Sequence, residues 1–131
     1  MSFLFDQSLK RKKFLSVRGK ALPTPIFFPS ISSIKTGTSP FEYSQILVEL
    51  GFSQLLVSVY DVAAAANREE FISSLEKNRS SDGPVVLLDS GNCESFWLRD
   101  MSWTPSRFNE LLGFNVCDLV FCFDNQHLRS G

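Results

Sequence analysis

Apolar residues along this chain come in short unbroken runs separated by longer amphipathic stretches. Val85-Val86-Leu87-Leu88 runs straight into Asp89-Ser90-Gly91, and Leu119-Val120-Phe121-Cys122-Phe123 runs into Asp124. Such runs, with β-branched members and turn residues at their ends, predict strands buried on both faces, as in a parallel sheet. Thr24-Pro25-Ile26-Phe27-Phe28-Pro29 predicts a short strand fenced by prolines, and Gln54 to Val59 a further one. Between them lie helix signals. Ser39-Pro40-Phe41-Glu42 supplies an N-cap, a proline at the first helical position and a capping-box acid. Ile46, Leu47 and Leu50 form the apolar stripe of that helix and Gly51 suits its end. A second helix is expected from about Val62 to Lys77, with Phe71, Ile72 and Leu75 on one face. Asp82-Gly83-Pro84 reads as a turn. Thr104-Pro105 opens a third helix, with Phe108, Leu111 and Leu112 buried and Gly113 at its end.

The order strand, helix, strand, helix, strand, helix, strand implies parallel pairing through right-handed crossovers, an α/β fold. A doubly wound sheet and a (β/α) barrel share that grammar. Phe14 to Pro23, around Arg18-Gly19-Lys20, predicts a hairpin or cap ahead of the main fold. Residues 1–13 are set apart as a basic extension. Its Lys10-Arg11-Lys12-Lys13 run reads as a solvated terminus rather than a phosphate grip.

Composition narrows the classes. The chain has 131 residues, 44% hydrophobic and 21% charged, which suits one globular domain and excludes wholesale disorder. A net charge of -1 makes no global electrostatic case for nucleic acid. No GxGxxG, GxxxxGK[ST] or GxSxG motif is present, and His127 is the single histidine, which argues against dinucleotide, P-loop and serine-triad chemistry. Cys93, Cys117 and Cys122 fit no zinc spacing, so no metal is assigned to them. Free, mostly buried thiols of a reducing cytoplasm are expected. The N-terminal apolar residues precede the basic run, the reverse of a signal peptide, and no apolar stretch reaches bilayer-spanning length.

Four segments, in order, resemble the tRNA-guanine transglycosylase family, the base-exchange enzymes with a (β/α)8 TIM-type barrel. Thr24 to Pro29 is similar to the family's first-strand TPxFxP motif. Lys35 and Ser39-Pro40 match the lysine and proline-started helix that follow. Val85 to Gly91 resembles the strand ending in the DSGG signature, and Asp118 to Asp124 the strand ending in the base-recognising aspartate. The resemblance runs from about Phe14 to Asn125. It implies that residues 14–131 are the N-terminal half of such a barrel, about four parallel βα units after a short cap. Asn92, Cys93 and Glu94 stand where the family has glycine, an aromatic and glutamine. Val57-Ser58-Val59-Tyr60-Asp61 replaces its asparagine-threonine-tyrosine-histidine stretch.

What the resemblance implies is exchange of guanine for a 7-deazaguanine, as in the queuosine pathway, in tRNA or, for a divergent relative, in DNA. Asp89 would be the catalytic proton manager, with Ser90, Gly91 and Asp124 binding substrate and Asp124 accepting N–H bonds from the base. The family's nucleophile and zinc site are expected beyond residue 131, so no cofactor is expected in this segment. Each carboxylate also suits capping of the next helix. A non-catalytic barrel fragment that binds a partner or nucleic acid, or an α/β enzyme whose aspartates hold Mg²⁺, are the alternatives. The open strand edges of a half barrel lead us to expect self-association. No membrane partner is expected.

Overall fold

The computed structural model describes residues 13–34, 36–80 and 82–124. Lys35, His127, Asn125 and most of the basic extension lie outside the described residues.

The chain opens with an antiparallel hairpin, β1 (Phe14–Val17) and β2 (Lys20–Pro23). Its two-residue loop, Arg18-Gly19, has φ of 49° and 75°. Positive φ at both positions matches the twist of the flanking strands. Then follow β3 (Ser30–Ile31), α1 (Pro40–Glu49), β4 (Gln54–Ser58), α2 (Val59–Ala64), α3 (Arg68–Ser80), β5 (Val85–Asp89), α4 (Asn92–Trp97), α5 (Pro105–Leu112) and β6 (Leu119–Val120). The last four strands form one parallel sheet in the order β3-β4-β5-β6. The expected α/β fold with sequential parallel strands is what the chain forms.

Local signals set the helix ends. Ser39 Oγ accepts from the Glu42 N–H at 3.3 Å, and Pro40 fills a position whose amide would have no partner. Gly51, at φ 84°, closes α1: its N–H donates to Val48 O, and the Phe52 N–H to Leu47 O. That pair of bonds satisfies carbonyls the helix leaves open. Thr104 caps α5 in the same way as Ser39 caps α1.

Alternation along the strands separates two faces. Ile31, Leu55, Val57, Val86 and Leu88 join Leu47 of α1, Phe71, Ile72 and Leu75 of α3, and Phe108 and Leu111 of α5 in one buried cluster. Each such side chain contributes roughly 1.5–3 kcal/mol by leaving water. The other face carries Ser30, Leu56, Leu87 and Leu119, which are only half-buried or exposed. In-register pairing puts Ser30 beside Leu56, Leu56 beside Leu87, and Leu87 beside Leu119. Helices therefore cover one face of the sheet, where both faces were expected to be buried.

The amino edge is tied to the hairpin. The Asp118 carboxylate, fully buried, accepts from Arg18 Nε at 2.6 Å, Arg79 Nε at 3.1 Å and the Val86 N–H at 2.8 Å. Arg18 also donates to the carbonyls of Arg79 and Pro84, both at 2.9 Å.

Four expectations are corrected. Residues 24–29 are not a strand. Their prolines cannot donate to a ladder, which begins with Leu56 N–H donating to Pro29 O and continues through Ser30–Ile31. The helix expected over 62–77 is two helices, parted where Ala65 is extended (φ -64°, ψ 137°). The break lets Val59 to Val62 bury at the end of β4 while Phe71, Ile72 and Leu75 bury on the sheet. The strand expected through Asp124 stops at Val120, with one further ladder bond from Phe121 N–H to Leu88 O, because β5 has already turned away at Ser90-Gly91. The thiols are not mostly buried: Cys93 and Cys122 are exposed and Cys117 is intermediate. Cys93 sits on the outer side of α4 and Cys122 beyond the β6 ladder. All three are free, and no described helix is long and apolar enough to cross a membrane.

Candidate functional site

Parallel α/β sheets place their chemistry at the carboxyl ends of the strands. Here that edge carries Ser32 and Ser33 after β3, Ser58 at the end of β4 with Tyr60 and Asp61 after it, and Asp89 at the end of β5 with Ser90, Gly91 and Glu94 after it. Asp89 ends β5 in register with Ser58, so it lies on the face that the helices leave uncovered.

The turn after Asp89 is tightly specified. Gly91 has φ 78° and is the N-cap of α4. A Cβ there would stand 2.5 Å from Tyr60 Cβ and 2.7 Å from Tyr60 N. Only glycine combines that φ with that approach. Ser90 Oγ accepts from the Asn92 N–H at 3.4 Å, and Ser90 O accepts from the buried Trp103 indole N–H at 3.0 Å. Trp103 in turn packs edge-on against Tyr60, whose hydroxyl donates to Asp100 at 2.8 Å. Burial, followed by the negative Asp100, pushes the Tyr60 hydroxyl up to about 12. The Ser102 hydroxyl and then the Tyr60 hydroxyl hold Asp100 below the usual carboxylate range.

Three acids share this edge. Asp61 is buried, accepting from the Ser33 N–H at 2.8 Å and the Ser33 hydroxyl at 2.5 Å. Burial raises its pKa against those two bonds, with Glu94 and Asp89 adding to the rise. Asp89 is half-buried and is raised by burial first and by Glu94 second. Glu94, 3% exposed, accepts from the Ser32 hydroxyl at 2.8 Å through Oε1, and its Oε2 has no partner. Ser58 Oγ, equally buried, has none either. Among the described residues none of these acids pairs with a lysine or arginine. Nor does any cluster of three His, Cys, Asp or Glu residues there have the geometry of a metal site.

Asp124 reaches the same edge by another route. Its N–H donates to Asn92 Oδ1 at 2.9 Å and its carbonyl accepts from Asn92 Nδ2 at 3.0 Å. Asn92 opens α4 directly behind the Asp89 turn. Beside this clasp lies a cavity of about 340 Å³ lined by Asn92, Phe96, Arg99, Trp103, Phe123 and Asp124, among others. Asp89 does not line it. Of the four residues expected to form the site, Asp89, Ser90 and Gly91 make one turn, and Asp124 is clasped to the helix that leaves it.

Sequence reasoning passed over Asp61, Glu94 and Ser58 as acceptors. Asp61 carried the one usable signal, an acid just past a strand end, as at Asp89. Comparison of the chain with family models, with curated proteins and with solved structures found no match.

Proposed function

We propose that this chain is the N-terminal half of a (β/α)8 barrel of the tRNA-guanine transglycosylase kind, and that its carboxyl edge takes a guanine-like base. Supporting the barrel is the one-sided helix cover: sequential right-handed crossovers put every helix on the same face, as in a closed barrel, where a doubly wound sheet covers both. The uncovered face, with Leu56, Leu87 and Leu119, is then the barrel lumen.

The observation that carries the site is the Asp89-Ser90-Gly91 turn at the lumenal end of β5, with a carboxyl that burial and Glu94 bias toward its protonated form. Base exchange breaks the bond between a sugar carbon and a ring nitrogen, and the leaving base must receive a proton. Asp89 is the acid suited to supply it. Asp124, beside the aromatic-lined cavity, is suited to accept N–H bonds from the base edge. The nucleophile for the sugar carbon falls, by the resemblance, on a later strand of the barrel, as does the zinc site. This half accordingly binds base without exchanging it. The nucleic acid whose base is exchanged is tRNA or DNA, and the proposed setting is the cytoplasm.

Calorimetric titration with guanine and 7-deazaguanine tests the reading. Binding should weaken by about ten-fold or more in Asp124→Asn, since a bond to a charged acceptor is worth about 1.5–3 kcal/mol. Equal affinity of wild type and variant would remove Asp124 from the site. Label exchange into tRNA or duplex DNA by this chain alone, lost in Asp89→Ala, would show that a nucleophile lies among its own residues.

A further inference from the structure

A second cavity is lined in part by Tyr60. It measures about 310 Å³ and is lined by Ser33, Pro40, Phe41, Tyr60, Asp61 and Leu98, with small alanine side chains of the α2 end completing the wall. Its wall is mostly aromatic and aliphatic, with Ser33, Ser39 and Asn67 as neutral polar members, and its one acid is Asp61. The Asp61 carboxylate is held by two bonds from Ser33, which leaves a lone pair on each oxygen for a further donor.

The charges that act on Asp61 from its surroundings are those of Glu94 and Asp89, both negative. Among the described residues no cation balances them. The same edge also holds two buried acceptor-capable atoms without partners, Glu94 Oε2 and Ser58 Oγ. A buried acceptor without a donor is costly, and buried like charges without a counter-charge are more so. Glu94 and Ser58 do not line the cavity, so an incoming positive group acts through Asp61: it takes up the free lone pairs there and offsets the like charges, while the apolar part of the wall takes its hydrocarbon body.

The geometry points to this cavity as a binding site for a small organic cation, an amidinium, guanidinium or ammonium group on a flat or aliphatic apolar body, with Asp61 as the anchoring acceptor and Glu94 and Asp89 reinforcing its charge. The inference does not depend on base exchange: it concerns a different cavity from the one beside Asp124.

Benzamidine and its neutral isostere benzamide are the probes, titrated into the full chain at pH 7 by calorimetry, with the Ser33 amide followed by NMR. Benzamidine should bind at least ten-fold more tightly than benzamide and shift the Ser33 amide. Leu98→Lys places a positive charge at the exposed rim and should weaken benzamidine at least ten-fold while leaving the fold intact. Glu94→Gln removes one reinforcing charge and should weaken it several-fold. Equal affinity for the two probes, binding that leaves Ser33 unmoved, or indifference to Leu98→Lys would overturn the inference. Guanine binding sensitive to Asp124→Asn but without benzamidine binding would leave the base-site reading standing and remove this one, and the converse result would do the opposite.

Discussion

Gly91 and Tyr60 touch backbone to backbone: a Cβ on Gly91 would lie 2.7 Å from Tyr60 N and 2.5 Å from Tyr60 Cβ. The contact joins the turn after β5 to the first turn of α2, and so brings the Asp89 and Asp61 strand ends together. Gly91→Ala meets two penalties, a left-handed backbone worth about 1–2 kcal/mol and an overpacked contact worth about 1–3 kcal/mol. A fall of about 2–4 kcal/mol in unfolding free energy by urea titration is expected. A change within error would mean that the turn shifts freely and is not the frame of the site.

At the opposite edge of the sheet, Asp118 holds the hairpin to the α3–β5 junction through Arg18, Arg79 and Val86 N–H. Asp118→Ala strands two arginines that are about one-fifth exposed, so the loss falls near the low end for a broken buried pair, about 3 kcal/mol. Limited proteolysis should then cut first in β1–β2, which loses its anchor. Unchanged cleavage there would show that the hairpin docks by other contacts.

Trp103 holds the carbonyl of Ser90 with its indole N–H. Trp103→Phe keeps most of the packing against Tyr60 but leaves that buried carbonyl without its donor, at a cost of about 1–2 kcal/mol. The same variant should broaden the Gly91 and Asn92 amide resonances, because the turn loses a fixed point. Sharp, unshifted resonances would argue that Ser90 is held by its neighbours alone.

Stability should depend on pH through Asp61 and Asp89. Both carboxyls titrate higher in the folded chain than in the unfolded one. The folded state therefore retains protons that the unfolded state has released, and stability falls as pH rises from about 4 through the folded values, then levels off. Thermal unfolding should give a higher Tm at pH 5 than at pH 7, with a smaller difference in Asp89→Asn. A Tm that rises from pH 5 to pH 7 and is unaffected by that substitution would contradict the placement of these acids.

Elements with their own punctuation were legible in the sequence. α1 and α5 begin where Ser39-Pro40 and Thr104-Pro105 place them, because a capping hydroxyl and a proline act on amides a few residues away. The parallel order followed from four apolar segments parted by helices. The Asp89-Ser90-Gly91 turn stood out because a carboxylate after an apolar run is hard to explain by packing. What required the tertiary structure was everything set by partners distant in sequence. β3 lies at Ser30–Ile31 because β4 offers its first ladder bond to Pro29, and β6 ends at Val120 because β5 has already turned. α4 carries no capping side chain; its start rests on the glycine wedged against Tyr60. The acidity of the site is likewise collective. Asp61, Asp89 and Glu94 are separated by up to 33 positions, and only the parallel register of β4 and β5 puts their charges within reach of one another, where burial and mutual repulsion reset how Asp61 and Asp89 hold protons.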